Sequence, residues 1–405
     1  MDTYLDSLSS QEKGIIELLE RWVNINSWSE NPEGLEKMTE VLEEAFSSLN
    51  GVIERLPLPP RKKIDTRGNI TEIASGSALS IKKRPEAPFK VLLAGHLDTV
   101  YPTYSPFQSA ERLDPKILRG PGVADMKGGL VVMLKALEAF ENSPYADKLG
   151  WEVLINPDEE VGSPASQHLF IERASKFNIG LIFEPAFPDG SLVNERKGSI
   201  NFTIVAHGKA AHAGRDYYAG RNAIIAMARF AQGVETLNDR QRNITVNVGF
   251  FEGGGATNIV PDVAVCKVNI RMQNPKDVPM ISASLREMAH GSASPDGITF
   301  ELYEHTSRPP KVFNKANRSL FDALKTCGQG LGLDLKWQPS GGVCDGNTLS
   351  AAGLPTIDTL GAVGGHIHTH DEFILTPSLV ERAKLTASFL MQIAENKYIL
   401  EKSHD

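Results

Sequence analysis

An apolar run that ends in side chains able to bind a metal constrains the fold of this chain more than any other feature. The run FKVLLA at residues 89–94 leads directly into GHLDTV, and a mostly apolar run of this length is typical of a strand buried on both faces. His96 and Asp98 stand two residues apart after it, so both leave the carboxyl end of the strand on one side. In open α/β sheets, ligands bind at that end.

A second motif, RGPGVADMKGG at residues 119–129, supplies Asp125. Its glycines allow the backbone to approach a bound group closely, and the apolar spacing that follows predicts an amphipathic helix over residues 126–140. An imidazole beside carboxylates suits zinc or another metal with mixed nitrogen and oxygen ligands. A lone H-x-D sequence is more often a hydrogen-bonded histidine at a strand end, so a metal site requires further ligands elsewhere in the chain.

The alternation of strands and helices around these motifs indicates the fold class. Buried strands are predicted at residues 151–156 and 179–183, with a helix between them. This rhythm predicts an α/β fold with a mostly parallel sheet, right-handed crossovers and flanking helices. The stretch at 76–88 and two short basic runs, at residues 61–63 and 82–84, are predicted to be surface loops.

The pattern changes after residue 198. Alternating apolar and polar residues, as at 199–207 and 263–272, predict an antiparallel sheet with one face in water. We interpret residues 199–309 as a smaller inserted α+β domain, and residues 1–198 together with 310–405 as one discontinuous domain.

Composition narrows the class of protein. The 405 residues are enough for two domains, and a net charge of −8 argues against a nucleic-acid surface, which needs clustered Lys and Arg. The sequence MDTYLDSLSSQEKG has neither the basic nor the apolar region of a secretory signal, and no segment has the apolar length of a membrane span. The three cysteines form no C-x-x-C pair, so we predict a cytoplasmic location.

Carboxylates recur where the predicted strands end. Glu159 and Glu160 follow the strand at 151–156, Glu184 follows the strand at 179–183, and GGHIHTHDEF supplies histidines near the C-terminus. Each has an ordinary explanation of its own, such as helix capping by the glutamate pair. Buried carboxylates are costly, however, unless they are paired or bound to a metal. Together they therefore predict a common cation.

The order of these motifs resembles that of a known family. The chain contains, in sequence, GHLDTV, GPGVADMKGG, PDEEVGS, HGKAAHAG, GRNAI, TNIVPD and GGVCDGN. In these motifs, and over nearly its whole length, it resembles the M20 family of metallopeptidases, with GKAAHAG and DTLGAVGGHIHTHDEF most similar to the glutamate carboxypeptidase branch. The resemblance implies a zinc-peptidase-like catalytic domain (1–198 and 310–405) and an inserted lid and dimerisation domain (199–309).

The resemblance also implies a ligand set. Two zinc ions per subunit are expected, with cobalt or manganese able to replace them. Asp125 is expected to bridge the two ions, His96 and Glu184 to complete one site, and Glu160 and a late histidine to complete the other.

Three histidines compete for that last ligand position. They are His366, His368 and His370. The family places a glutamate four residues after the ligand, and Glu372 therefore selects His368.

For the chemical step, the resemblance implies Glu159 as general base. It implies Asp98 as the residue that orients His96. The second role also agrees with general chemistry, because a metal-bound imidazole needs its other nitrogen held by a carboxylate or a carbonyl.

Three residues of the predicted inserted domain are implied in substrate binding. His212 matches the family's oxyanion donor, commonly supplied by the neighbouring subunit of a homodimer. Asn258 and Arg271 match positions that hold the carboxylate end of the substrate, a role that suits the bidentate guanidinium. Without the resemblance, Arg271 would more often form a surface salt bridge, and His212, in an alanine-rich turn, would be an ordinary surface residue.

The predicted function is dizinc-dependent hydrolysis of an amide or peptide bond next to a free carboxylate, in an N-acyl amino acid or a peptide C-terminus. An N-acyl amino acid deacylase or a dipeptidase would use the same ligands. A non-catalytic binding relative would have lost a ligand or Glu159, and all are present.

Two departures from the family pattern concern the substrate. The loop at 186–194 lacks a basic residue, and Cys344 stands beside Asp345 where the family more often has Ser or Thr. The cysteine is interpreted as a buried small residue, with a reactive thiol near the site as the alternative.

Overall fold

The computed structural model describes residues 2–293 and 297–395. Met1, residues 294–296 and residues 396–405 lie outside the described residues. Both ends of the predicted discontinuous domain, at residues 1 and 405, are therefore among the positions not described. The helices are α1 (Asp2–Ser10), α2 (Glu12–Val23), α3 (Pro32–Ser47), α4 (Gly128–Glu141), α5 (Gln167–Ala174), α6 (Ala223–Glu235), α7 (Asp277–Ser292), α8 (Lys315–Gly330), α9 (Asp345–Ala351) and α10 (Pro377–Ala394). The strands are β1 (Val52–Pro57), β2 (Arg61–Ile64), β3 (Ile70–Ile73), β4 (Ser77–Lys83), β5 (Lys90–His96), β6 (Glu111–Asp114), β7 (Ile117–Arg119), β8 (Gly150–Asn156), β9 (Ile179–Ile182), β10 (Leu192–Arg196), β11 (Gly198–His207), β12 (Thr245–Gly253), β13 (Val263–Met272), β14 (Thr299–Arg308), β15 (Trp337–Ser340), β16 (Thr356–Ile357), β17 (Gly364–Gly365) and β18 (Phe373–Leu375).

The central sheet has six strands in the order β1-β4-β8-β5-β9-β16. Strands β8, β5, β9 and β16 run parallel to one another, whereas β1 and β4 form antiparallel pairs at one edge. Side chains alternate between the two faces, so that Leu93 packs with α4 and α10 while Leu92 and Ala94 pack with α5 and α9. The prediction of a mostly parallel sheet flanked by helices is confirmed.

Strand β4 shows that the prediction of a surface loop at residues 76–88 is wrong. The strand is buried although it contains serine, because the Ser80 hydroxyl donates a hydrogen bond of 2.8 Å to Glu152 Oε1 inside the sheet. The basic run at 61–63 likewise lies in β2, and the run at 82–84 begins in β4. The first run therefore belongs to a paired strand, as do Lys82 and Lys83 of the second, whereas Arg84 lies just after β4.

Helix α4 begins at Gly128 and is buried along nearly its whole length, so it is not the amphipathic helix predicted from the sequence. One side packs on the sheet and the other is covered by α10 and α1, which leaves only Lys135, Glu138 and Glu141 partly exposed. Gly129 allows this approach, since a Cβ atom there would lie 1.9 Å from the carbonyl oxygen of Phe183. The short helical turn before α4, Val123–Lys127, carries Asp125.

A second sheet, with the antiparallel order β12-β13-β11-β14, packs against α6 and α7. It has a hydrophobic cluster of its own, which includes Phe202, Phe230 and Leu285. All of these elements lie between residues 198 and 308, in the segment predicted as an inserted domain, although the domain boundaries themselves stay a prediction. Every helix among the described residues is too short or too polar to span a bilayer.

The chain passes between the two sheets at two neighbouring points. Arg196 and Lys311 exchange backbone hydrogen bonds of 3.1 and 3.0 Å. The Asn347 side chain donates to the carbonyl oxygens of Lys197 and Pro309, at 3.0 and 2.8 Å. The outgoing and returning segments are therefore held side by side.

We predict that Gly129→Ala destabilises the protein, because the added methyl group overlaps the Phe183 carbonyl oxygen. Overpacking typically costs ~1 to 3 kcal/mol, which outweighs the ~1 kcal/mol of helix propensity that alanine gains. The matched control is Gly14→Ala in α2, where nothing lies within 4 Å of the added Cβ and stability should rise. Thermal unfolding followed by circular dichroism measures both variants, and equal melting temperatures would contradict the prediction.

Candidate active site

Three adjacent strands of the central sheet end at one site. Strand β5 ends at His96 and lies between β8 and β9. The turn after β8 carries Glu159 and Glu160, and Glu184 follows β9 by two residues. The structure thus brings these four side chains to the carboxyl edge of the sheet.

His96 contacts two of the other candidate ligands. Its Nε2 atom is 3.0 Å from Asp125 Oδ1 and 3.7 Å from Glu184 Oε1. Its Nδ1 atom is 3.0 Å from the backbone carbonyl oxygen of Asp98 and 3.4 Å from the Oδ1 atom of the same residue. The carbonyl group of Asp98, more than its carboxylate, therefore holds the imidazole, and Nε2 is turned towards the carboxylates.

The Asp98 carboxylate has a different set of partners. Its Oδ1 atom accepts a hydrogen bond of 3.1 Å from the backbone N–H of Glu159, and Oδ2 accepts one of 3.1 Å from that of Glu160. The Ser29 hydroxyl also donates to Oδ2, at 2.7 Å. One buried carboxylate therefore fixes the turn that carries both glutamates.

His368 is the late histidine that joins the group. Its Nε2 atom is 3.3 Å from Asp125 Oδ2 and 3.2 Å from Glu160 Oε2, whereas the rings of His366 and His370 contact aromatic side chains. The φ angle of His368 is 63°, a left-handed conformation that is strained for a residue other than glycine and that clusters at functional sites.

Glu372 holds the loop that carries Asp125. The buried Glu372 carboxylate accepts hydrogen bonds from the backbone N–H groups of Gly122, Ala124 and Asp125 and from the Tyr101 hydroxyl. In the sequence, Glu372 marks only the spacing that selects His368. In the structure it sets the backbone position of a candidate metal ligand.

The pKa values at the site reflect crowded negative charge. Burial, followed by the charge of Asp125, raises the pKa of Glu160 to about 8. The same two causes raise the pKa of Glu184 well above its ordinary value. Hydrogen bonds to Asp125 and Glu160 raise the pKa of His368 to about 11. A cation placed among these groups would relieve the repulsion between them.

The donor atoms of this group fit a metal site. Ligand atoms of His96, Asp125 and Glu160 lie within 4.8 Å of one another, as do those of His96, Glu159 and Glu184. The Oε1 atom of Glu160 is buried and has no hydrogen-bond partner in the described part of the chain, which is consistent with an atom that binds an ion. Imidazole and carboxylate groups are the donors of many zinc sites.

A cavity of about 680 Å³ adjoins these ligands. The guanidinium groups of Arg196, Arg271 and Arg308 line it, and Phe187 and Val193 add apolar surface. Cavities of this size and mixed character bind small molecules.

Arg308 is a direct partner of Glu159. Its Nη1 atom donates to Glu159 Oε1 at 2.7 Å, and Nη2 donates to Ser163 Oγ at 2.7 Å and to Asp345 Oδ1 at 3.0 Å. Burial raises the pKa of Glu159, and the charge of Arg308 opposes that rise. Sequence reasoning missed Arg308, whose only local signal is its position directly before a Pro-Pro pair.

Arg271 lines the cavity from strand β13. Its Nε atom donates to Asn269 Oδ1 at 3.0 Å, and the Asn269 amide donates in turn to Ser199 Oγ and Asn201 Oδ1. Its Nη1 atom is 3.4 Å from the Gly341 carbonyl oxygen. These contacts hold the guanidinium at the cavity wall.

His212 and Asn258 lie beside each other but do not line this cavity. The backbone N–H of Ala213 donates to the carbonyl oxygen of Asn258 at 2.9 Å, and both predicted side chains are exposed. The Nδ1 atom of His212 accepts hydrogen bonds of 3.1 Å from the backbone N–H groups of Gly214 and Arg215. That pattern leaves a proton on Nε2 when the imidazole is neutral.

Arg196 is a basic residue near the loop at 186–194, and its guanidinium is already paired with a carboxylate. It follows the loop by two residues, lines the cavity, and donates from Nε to Asp358 Oδ2 at 2.7 Å. Cys344 lies 3.7 Å from the same oxygen and is 1% exposed. Burial raises the pKa of the Cys344 thiol well above its ordinary value, as expected for a buried small residue and not for a reactive thiol.

Comparisons of the sequence and of the fold with known proteins point to the same family. The model described as Peptidase family M20/M25/M40 matches residues 92–392. Carboxypeptidase G2 of Pseudomonas sp. (strain RS-16) is 25% identical over 395 residues, which are 96% of this chain and 91% of that protein. Succinyl-diaminopimelate desuccinylase of Nitrosococcus oceani is 27% identical over 317 residues, 73% of this chain and 82% of that protein. A solved M20 family metallo-carboxypeptidase from Sulfolobus solfataricus shares the fold, with a TM-score of 0.71 and 18% identity over 94% of this chain and 99% of that chain.

We predict that zinc stabilises the protein more as the pH rises towards ~8. The folded state binds more protons than the unfolded state between the ordinary pKa of 4.5 for Glu160 and its raised value of about 8, so the stability of the metal-free protein falls as pH rises through this interval. Zinc requires deprotonated ligands and binds more tightly at higher pH. Melting temperatures with chelator and with zinc should therefore diverge across the interval. A zinc-induced increase that does not change with pH would contradict the prediction.

Proposed function

The chain belongs to peptidase family M20/M25/M40, and on that premise we propose that this metallopeptidase hydrolyses an amide or peptide bond next to a free carboxylate, as a carboxypeptidase of the glutamate carboxypeptidase type. The observation that carries the proposal is that candidate metal ligands and the Arg271 guanidinium line one cavity. Metal ions held by these ligands would act on the scissile carbonyl of the substrate. The guanidinium suits the free carboxylate of the same substrate. The relative named carboxypeptidase G2 supports this choice.

We assign two zinc ions to the site, with Asp125 as their shared ligand. His96 and Glu184 complete one set of donors, and Glu160 and His368 complete the other. The shared role of Asp125 is supported by its distances of 3.0 Å to one imidazole and 3.3 Å to the other. Zinc bound by such donors lowers the pKa of a water molecule and polarises a carbonyl group. Cobalt or manganese suits the same donors.

Glu159 acts as the general base. Its carboxylate lies among the donor atoms of His96 and Glu184, but its hydrogen-bond partner is Arg308. In the reaction, Glu159 takes a proton from the attacking water and passes it to the leaving amine nitrogen. The raised pKa of Glu159 brings its carboxyl closer to the range in which a base works at neutral pH.

The segment at 199–309 acts as a lid and dimerisation domain that supplies the remaining contacts. Arg271 and Asn258 hold the carboxylate end of the substrate, and His212 donates from Nε2 to the oxyanion that forms at the scissile carbonyl. Because His212 is exposed and does not line the cavity, it reaches the substrate by closure of this segment or from the partner subunit of a homodimer. The cytoplasmic location likewise remains a prediction.

An N-acyl amino acid deacylase or a dipeptidase is the second candidate. One relative is named succinyl-diaminopimelate desuccinylase, which makes N-acyl amino acids a second substrate class. The test measures hydrolysis rates of the zinc-loaded enzyme with three substrate classes: N-acyl amino acids, dipeptides and folate-like glutamate amides. The class that is hydrolysed fastest decides between the deacylase, the dipeptidase and the carboxypeptidase. Failure to hydrolyse any of the three classes would refute the proposed function.

We predict that Glu159→Gln abolishes turnover while zinc binding persists, because this residue transfers protons and is not a ligand. The expected loss in kcat is at least the ~10² to 10⁴-fold of a missing general base. The neighbouring variant Glu160→Gln is the matched control and should lose zinc as well as activity. Elemental analysis and steady-state rates decide between the roles. Wild-type kcat in Glu159→Gln with full metal content would assign the base elsewhere.

Arg271→Ala should raise KM for a substrate that carries a free carboxylate. Loss of a charge-assisted hydrogen bond typically costs ~1.5 to 3 kcal/mol of binding, equivalent to roughly 10 to 150-fold in affinity. The comparison is between a substrate and its carboxamide, which lacks the charge. Equal losses on both compounds would show that Arg271 does not recognise the carboxylate.

A further inference from the structure

We infer that Arg308 is a positioning residue, which holds the Glu159 carboxylate in the orientation of a base and keeps it from acting as a metal ligand. The inference rests on the proposed function, because it takes Glu159 as the general base. Arg308 is the last residue of β14, and its side chain is 4% exposed. It reaches Glu159 from the second sheet, across 149 positions of sequence.

The Arg308 guanidinium is also bonded, on its side away from the cavity, to groups that do not line the cavity. Its Nη2 atom donates to Ser163 Oγ and to Asp345 Oδ1. The Asp345 carboxylate also accepts hydrogen bonds from the Ser163 hydroxyl and from the Asn156 amide. Of this network, only Arg308 and Glu159 line the cavity. The planar, forked guanidinium can bond both carboxylates at once, which the single ammonium of a lysine does less well.

Arg308 supplies the only hydrogen bond to a side-chain oxygen of Glu159 within the described residues, and it does so at Oε1. The Oε2 atom is therefore left for proton transfer. The carboxylate of Glu159 nevertheless lies within 4.8 Å of donor atoms of His96 and Glu184. Without Arg308, a buried anion so placed would turn towards a bound cation and join its ligands. The Arg308 guanidinium therefore keeps the Glu159 carboxylate, which acts as the base, apart from the carboxylates that act as metal ligands.

The test compares Arg308→Ala, Arg308→Gln and Arg308→Lys with the wild-type enzyme. We expect Arg308→Ala and Arg308→Gln to lose about 10 to 10²-fold in kcat, the scale of a misplaced catalytic group, and Arg308→Lys to recover part of that loss. The loss should be the same for a carboxylate substrate and its carboxamide. Zinc affinity, measured by competition with a chelator, should be unchanged or tighter. Added guanidinium ion should restore kcat of Arg308→Ala, whereas urea at the same concentration should not.

Three results would overturn the inference. An unchanged kcat in Arg308→Ala and Arg308→Gln would show that Glu159 needs no positioning. An increase in KM for the carboxylate substrate alone, with kcat unchanged, would show that Arg308 binds the substrate. Weaker zinc binding in every variant would give it a general structural role. If Arg308→Ala does not accumulate as folded protein, Arg308→Gln carries the same comparison. Each outcome is separate from the fate of the proposed function, which depends on wild-type hydrolysis and on Glu159→Gln.

Discussion

The cost of burying carboxylates at one edge of a sheet is the constraint on which the rest of this structure depends. Asp98, Asp125, Glu159, Glu184 and Glu372 are all buried, and an ionised carboxylate taken out of water is costly unless cations or hydrogen-bond donors surround it. The loops around the site supply those partners from remote parts of the chain. Their conformations therefore follow from the need to compensate charge and not from local sequence preference.

The carboxylates divide according to the partners that they find. Glu372 and Asp98 accept backbone N–H groups, so they fix the loops that carry Asp125 and the glutamate pair. Glu160 and Glu184 face imidazoles and other carboxylates instead, and their pKa values are raised. Burial also raises the pKa of Glu372, to about 7, so the division rests on the hydrogen-bond partners of the carboxylates and not on their pKa values. The first pair thus builds the site, and the second pair gains most from a bound cation.

The sequence predicted the sheet class and the position of the candidate ligands because both depend on local patterns. Apolar runs locate the buried strands, and His96 and Glu184 follow directly from where those runs end. Prediction failed where the partner of a residue is remote. Ser80 resembled a loop residue because its partner, Glu152, is 72 positions away. Arg308 carried no signal of its contact with Glu159, which lies 149 positions away.

The junction between the two sheets links the second sheet to chemistry on the first. A Cβ atom at Gly198 would lie 2.7 Å from Pro310 Cδ, so the two crossing segments can approach this closely only with glycine at that position. Asn347 holds the carbonyl oxygens next to both crossings. Arg308 precedes the returning crossing by two residues and is bonded to loops of the first sheet. The second sheet is therefore fastened on the side where Glu159 lies. Near its other end it also packs against the hairpin of β2 and β3, where Ile64 shares a hydrophobic cluster with Val205 and Val265, so it is held to the rest of the chain at both ends.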